Sequence, residues 1–506
     1  MSRLASGREG SEGEKGTDKE RGATLVLASL TIVVLLGMAG FAVDLGWLYL
    51  KANQALKAAE ASALAGVVHM PKPGAVPWGA GAEAWDTAVD VAARNGYTTG
   101  SGTTVTPSEV PGHPNQLEVD VATSVPTFFM RIFGIGSVSF SRDAIAEHLP
   151  PLKMGSDEPF LGKDPTDPSR NTHYWLSVNG TYTGKNEGDP FSTVCYLGSA
   201  GPGGPPPYPN PVPAGCSATG NHEYRNPAYY FAVNVPAGHV GTTLAVDVFD
   251  GPWTDPALQT ADYHYRWDVT PYVTTFRLLA PDQTPDDPSD NAVEICRDDY
   301  HALGSPGYDP SEAQVWDTLC TTTAVEGTYV LELSVSGDTY SNNKFSLRSR
   351  INGSTANNVE MWGFGALSLA MHDPNTSPVF KIVRLDPIYA GTSLVVALWD
   401  AGDLGQAGTL TFGGAVAGLE CRVRELDDHG SVVANWHADD GGAGCELNIA
   451  PNEHNNQWVE FQFDVPTTYA CPASCWADVT YAFGSAPHDR TTWTATIQGG
   501  PVHLLP

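Results

Sequence analysis

The chain has 506 residues, with 27 Lys or Arg against 57 Asp or Glu, a net charge of −30 and a sequence pI of about 4.6. So acidic a balance argues against nucleic acid as a partner, which needs clustered Lys and Arg, and against the bulk of the chain lying on an anionic lipid surface. Gly (53) and Pro (39) are abundant beside 42% hydrophobic residues, a composition of turn-rich β structure with real cores rather than of disorder.

Residues 1–22 hold five basic and five acidic groups in a Gly- and Ser-rich stretch without periodicity, and are expected to be a disordered cytoplasmic tail. Ala23 to Val43 then run for 21 residues without a charge, and the chain meets Asp44. At about 1.5 Å per residue such a helix spans roughly 30 Å, the thickness of a hydrocarbon core. A cleaved signal peptide is the competing reading, with Gly40 and Ala42 as its small residues. The run is longer than the usual apolar core of a signal peptide, and the helical pattern continues past it, so a retained anchor is expected.

Trp47 and Tyr49 follow, residue types that settle at a membrane–water interface. Beyond them small residues recur at Ala52, Ala55, Ala59, Ser62, Ala63 and Gly66, on helical spacing and among strong helix formers. The helix should therefore continue to about His69, just before Pro71. A small-residue stripe admits a close neighbouring helix; an Ala-rich helix packed on its own domain is the equal alternative. A helical stretch over 82–95 and strands over 117–122 and 138–146 complete a small α/β unit within residues 44–148.

The N-terminal region resembles the TadE/TadG-like pilus-assembly proteins of the tight-adherence (Flp) system. The resemblance rests on the Gly22 start, the apolar helix, Val43-Asp44-Leu45-Gly46, Tyr49 and the run Gln54, Ala58, Ala59, Ala61, Ala63, Leu64, Ala65. Asn95-Gly96-Tyr97-Thr98 and Phe128-Phe129-Met130-Arg131-Ile132-Phe133-Gly134 extend it over about the first 150 residues. It implies a pilus-associated membrane protein, not an enzyme, whose partners are the lipid bilayer and other pilus or pilus-assembly proteins. Prepilin-type processing wants Glu five residues after the glycine. Here that position is Leu27, so an uncleaved anchor of the TadG kind fits better.

Residues 149–170, rich in Pro, Asp and Lys, read as a linker. After them short alternating strands recur between Gly, Pro and Asp clusters, and no long amphipathic helix is evident. That pattern indicates jelly-roll-like β-sandwich domains, placed at 171–352 and 356–506. An internal echo supports two related modules, since 229–255 (YYFAVNVPAGHVGTTLAVDVFDGPWTD) parallels 378–404 (PVFKIVRLDPIYAGTSLVVALWDAGDL). A single sandwich built from both segments is the alternative. The stretch from Trp493 is read as a closing strand.

All eight cysteines lie after the apolar run, which reads as disulfides in an oxidising space. Sequential pairing is expected because loop-like sequence separates each pair: Cys195 with Cys216, Cys296 with Cys320, Cys421 with Cys445, Cys471 with Cys475. This placement, with Lys19 and Arg21 before the helix, predicts a single-pass cell-membrane protein with a cytoplasmic N-terminus and an extracytoplasmic bulk. No cofactor is expected, with one exception to weigh: the acidic turns Asp250/Asp255 and Asp400/Asp403 suit calcium, although solvated turn carboxylates are the commoner use of Asp. No nucleophile elbow, P-loop or zinc-type spacing is present.

The expected fold is α+β, mainly β: a long transmembrane-plus-stalk helix with a small α/β unit, then two sandwiches. The expected function is non-catalytic assembly, with Asp44 and the small-residue stripe as its key positions. The alternative is an adhesin-like protein whose sandwiches bind carbohydrate or protein.

Overall fold

The computed structural model describes residues 17–505 apart from 73, 75, 171, 182, 194–215, 218–219, 251–262, 267–272, 302–306, 338, 373–376, 402–405, 429, 442–443, 452, 473 and 484–487. One long helix leads into mainly antiparallel β structure, as the sequence predicts. The described chain divides into two compact units. One is built from the N-terminal helix up to Val68, Glu83–Glu147 and the residues from His503 onward; the other from His69–Ala82 and His148–Val502.

In the first unit, helix α1 runs Thr17–Gly66, about 75 Å at 1.5 Å per residue, and closes in a 3₁₀ turn, Val67–His69, as Pro71 approaches. From Ala23 to Met38 it buries almost nothing: Leu25, Leu30, Val33, Leu36 and their neighbours are exposed. Its second half buries Ala55, Ala58, Ala59, Ser62, Ala63 and Gly66 against helix α2 (Glu83–Arg94) and the sheet beside it. Three strands, β1 (Thr103–Val110), β2 (His113–Pro126) and β3 (Ser137–His148), make that sheet, and the C-terminal strand Val502–Leu504 lines the far edge of β3. Leu505 N donates to Ile145 O at 2.9 Å. Strand β1 carries Pro107 between glycine turns, so the sequence pattern does not mark it as a strand. It is an edge strand, where a residue without an N–H is tolerated, and Pro107 faces Val119.

The second unit is two large sheets over one continuous core. The larger runs Trp316–Thr323, Thr243–Asp250, Thr339–Ile351, Tyr174–Asn179, Ala366–His372, His488–Gln498, Ser393–Trp399, Trp458–Asp464, Glu420–Leu426 and Val432–Ala438, with Phe160–Leu161 and Tyr263–Arg266 also on Thr339–Ile351. The other runs Glu294–His301, Val273–Leu279, Gly327–Ser336, Tyr229–Val235, Glu360–Phe364, Lys153–Met154, Val379–Arg384, Trp476–Phe483, Gly408–Gly414 and Glu446–Ile449. Rings interlock between the sheets throughout: Phe276 on Phe345 at 5.1 Å, Tyr174 on Phe380 at 5.4 Å, Phe412 on Phe461 at 4.7 Å.

The internal echo is structural. Tyr229–Val235 and Val379–Arg384 lie in one sheet. Each chain then makes a 3₁₀ turn, Ala237–His239 or Pro387–Tyr389, and crosses to the other sheet as Thr243–Asp250 or Ser393–Trp399. Both crossings need a left-handed residue, and both have glycine there, Gly241 at φ 80° and Gly391 at φ 84°. Their N–H groups donate to equivalent carbonyls, Ala324 O and Val465 O.

The expected boundaries require correction. The two halves are not separate sandwiches at 171–352 and 356–506, because both sheets run unbroken across them: Leu369 pairs with Leu176 in one, and Trp362 pairs with Ala232 in the other. The single-sandwich alternative describes the unit better. Residues 149–170 are not a free linker, since Leu149, Leu152, Met154 and Leu161 lie in the core and Lys153–Met154 is a strand between Glu360–Phe364 and Val379–Arg384. Nor is the strand through Trp493 a closing one; it is hydrogen-bonded on both sides.

Six cysteines stand at bridging distance in the expected order: Cys296–Cys320 (Cα–Cα 6.2 Å), Cys421–Cys445 (5.6 Å) and Cys471–Cys475 (4.9 Å). The expected pair Cys195–Cys216 lies outside the described residues.

Candidate functional site at the helix boundary

The apolar run ends at Asp44, whose side chain is fully buried although its neighbours Val43 and Leu45 are more than half exposed. Burial comes from the loop between β2 and β3. Phe128 N donates to Asp44 Oδ1 at 2.8 Å, and Phe129 N and Met130 N donate to Oδ2 at 2.8 and 2.6 Å. Phe129 and Met130 are the N-cap and first residue of the 3₁₀ turn Met130–Phe133, whose opening N–H groups lack partners within the turn, and Phe128 directly precedes them. A carboxylate, an acceptor on both oxygens, is the side chain that satisfies three converging donors at once.

The loop is held on both sides of this clasp. The Phe129 ring lies over Gly40, where a Cβ would come within 2.9 Å of Phe129 Cγ. Phe133 stacks on Phe41 at 5.2 Å between centroids, and Phe128 meets Trp47 edge-on at 5.7 Å. Lys51 Nζ lies over the Trp47 ring, 4.8 Å from its centroid. Arg131 folds back so that Nε and Nη2 both donate to Thr127 O, at 2.9 and 2.8 Å.

The structure thus brings Asp44 and Trp47 into one site, whereas Ala23, Val43 and Tyr49 stand exposed along the helix. It removes the small-residue stripe from the candidates for a partner helix. Ala55, Ala59, Ser62, Ala63 and Gly66 are buried within the chain's own first unit, and Ala52 is half-buried. The reason is close approach: a Cβ on Gly66 would stand 2.6 Å from Leu117 Cδ2 and 2.7 Å from Ala84 O, so α2 and β2 already occupy that face. The loop partners of Asp44 escaped the sequence reading because backbone N–H groups have no residue signature. The visible signal was the aperiodic apolar cluster Phe128, Phe129, Ile132, Phe133 and Ile135.

In the second unit, Asp250 and Asp400 end equivalent strands and are buried; Asp400 Oδ1 accepts from Asn456 N at 2.8 Å. Asp255 and Asp403, their expected partners, lie outside the described residues. Among the described residues the ligand-type cluster is Asp386 with Cys471 and Cys475, and those sulfurs bond to each other. Trp399, Trp476 and Trp493 are buried core residues. A cleft of ≈ 410 Å3 is lined by Lys72, Lys153, Asp286, Glu326, Trp362 and Tyr389. Among the described residues Asp286 Oδ2 is buried there without a hydrogen-bond partner, and burial pushes its carboxyl up to about 6, held back by His148 and Lys153.

No curated protein matches the chain. A family model does, over a shorter stretch than the 150 residues of the expected resemblance: residues 22–69, the apolar helix, its Asp44 boundary and the Ala-rich continuation, match the Tad model, described as "Putative Flp pilus-assembly TadE/G-like".

Proposed function

We propose that the chain is a non-catalytic, single-pass membrane component of a Flp-type pilus-assembly system, with its N-terminus in the cytoplasm and both β-rich units beyond the membrane. The observation that carries this reading is the coincidence of the family match with the exposed apolar half of α1. Within the described chain that surface finds nothing to pack against, which is what a lipid-facing helix requires. Cysteines at bridging distance, all after the helix, support an oxidising compartment for the second unit. Partners would be the bilayer and other pilus-assembly proteins.

Deleting the gene in its native host and restoring it on a plasmid tests the reading. Surface pili lost on deletion and regained on complementation support it. Pili of normal number with reduced adherence would transfer the function to the second unit as an adhesin-like binder. Unchanged pili and unchanged adherence would overturn both.

A further inference from the structure

We propose that the Phe128–Ile135 loop is a second membrane contact, inserting its apolar side chains among lipid acyl chains at the end of the helical anchor. This rests on the reading of Ala23–Val43 as that anchor. Ile132 is 76% exposed and Phe133 62%, and Phe128, Phe129 and Ile135 are each more than two-fifths exposed. Five large apolar side chains within eight residues, presented together by a short turn, make a patch that water disfavours.

What covers the patch follows from its place on α1. Its fixed contacts are Gly40, Phe41, Asp44 and Trp47, a stretch of about 10 Å along the helix axis. Gly40 and Phe41 belong to the last turn of the uncharged run. If that run spans the hydrocarbon, Phe129 and Phe133 lie at its outer rim. Phe128 and Trp47 lie a turn or two further out, where aromatic rings gather in membrane proteins. The loop's exposed surface is continuous with the lipid-facing surface of the anchor, so one solvent covers both.

Backbone polarity is the usual obstacle to irregular chain in lipid, since unpaired N–H groups cost several kcal/mol each. Here that obstacle is met for six of the eight N–H groups from Phe128 to Ile135. The N–H groups of Phe128, Phe129 and Met130 go to Asp44, that of Ile132 to Phe129 O, that of Gly134 to Arg131 O and that of Ile135 to Met130 O. Arg131, the one charged residue in the loop, has part of its guanidinium on Thr127 O and a stem long enough to reach headgroup phosphates. On this account Asp44 is a positioning residue that makes an irregular loop compatible with the membrane rim.

The test is lipid-borne photolabelling of the full-length protein. Reconstitution would use vesicles of phosphatidylethanolamine and phosphatidylglycerol, doped with a phospholipid carrying a diazirine on its acyl chain. Adducts are mapped by mass spectrometry. The expected result is adduct yields of the same order at Ile132, Phe133 and the anchor residue Leu35, with only background at Gly112 on the β1–β2 hairpin. The double variant Ile132→Ser/Phe133→Ser should lose the loop adducts and keep those on the anchor. Labelling on Leu35 but not on the loop would overturn the insertion alone. Absence of labelling at both would overturn the anchor reading beneath it. Loop protection that rises with protein concentration instead would assign the patch to a second copy of the chain, and would also overturn it.

Discussion

At the scale of single residues, two carboxylates are bound by their surroundings in opposite ways. Asp44 is surrounded by donors, and its two oxygens divide the work, one taking Phe128 N–H and the other Phe129 and Met130 N–H. Asp44→Asn keeps one acceptor oxygen but turns an amide against a donor, and Asp44→Ala leaves all three N–H groups without partners. Hydrogen exchange of amides 128–130 in the full-length protein should therefore quicken in the order wild type, Asn, Ala, with β1 and β2 unaffected. Unchanged protection in the alanine variant would mean that the ring contacts alone hold the loop. Asp286 is the reverse case, a buried carboxyl with an oxygen that no donor among the described residues reaches. Because burial raises it to about 6, the folded protein keeps a proton that the unfolded chain gives up near pH 4. Its contribution is present in full below about pH 4 and is lost as the pH rises through about 6. Between pH 4 and pH 7 the second unit should lose about 1–3 kcal/mol more than Asp286→Asn does, read from denaturant midpoints at each pH. Parallel pH profiles for the two proteins would show that the carboxyl is not perturbed.

At the scale of elements, helix α1 does two jobs with one pattern, and its glycines separate them. Gly37 and Gly46 have nothing within 4 Å of an added Cβ, whereas one on Gly66 would press on Leu117 and on the Ala84 carbonyl. Gly66→Ala should destabilise the first unit by about 1–3 kcal/mol through overpacking, while Gly37→Ala should leave its unfolding unchanged. Thermal unfolding in detergent, followed by exchange of β2 amides, would distinguish them. This contrast marks the limit of what was legible in advance. Periodicity and small-residue spacing reveal the helix, its end before Pro71 and the positions of close approach. They do not reveal which neighbour approaches, because Ala and Gly admit a foreign helix as readily as the chain's own α2 and β2. Strands of seven or eight residues with alternating burial, such as Tyr229–Val235, are similarly visible. Phe160–Leu161 and Lys153–Met154 are two residues each, too short for any period, and they sit beside Pro150–Pro151, so the stretch reads as a connection. Asp44 was visible as a lone charge after an apolar run, but its partners, being backbone, were not.

At the scale of the molecule, the decisive feature is that both sheets of the second unit pass through the joint between the halves. One crosses at Leu176 and Leu369, the other where Trp362 pairs with Ala232. Two of the disulfides stand at opposite ends of this arrangement. Cys296 and Cys320 tie the two sheets at the outer edge of the first half, and Cys421 and Cys445 tie them near the outer edge of the second. Two independent sandwiches would unfold separately, each sensitive only to its own bridge. A shared core should instead unfold in one transition, because parting the halves strips strands Tyr174–Asn179 and Ala366–His372 of their partners and exposes core residues on both sides. Cys421→Ser/Cys445→Ser opens a loop of 24 residues and should cost about 3 kcal/mol on chain-entropy grounds. The informative quantity is where that loss is felt. Amides of the first half, in Val273–Leu279 and Thr243–Asp250, should lose protection against global exchange by the same amount as those in Ser393–Trp399. If the first half kept its full protection while the second weakened, the joint would be a contact between two folding units, and the duplicated halves would retain the independence that their repeated sequence suggests.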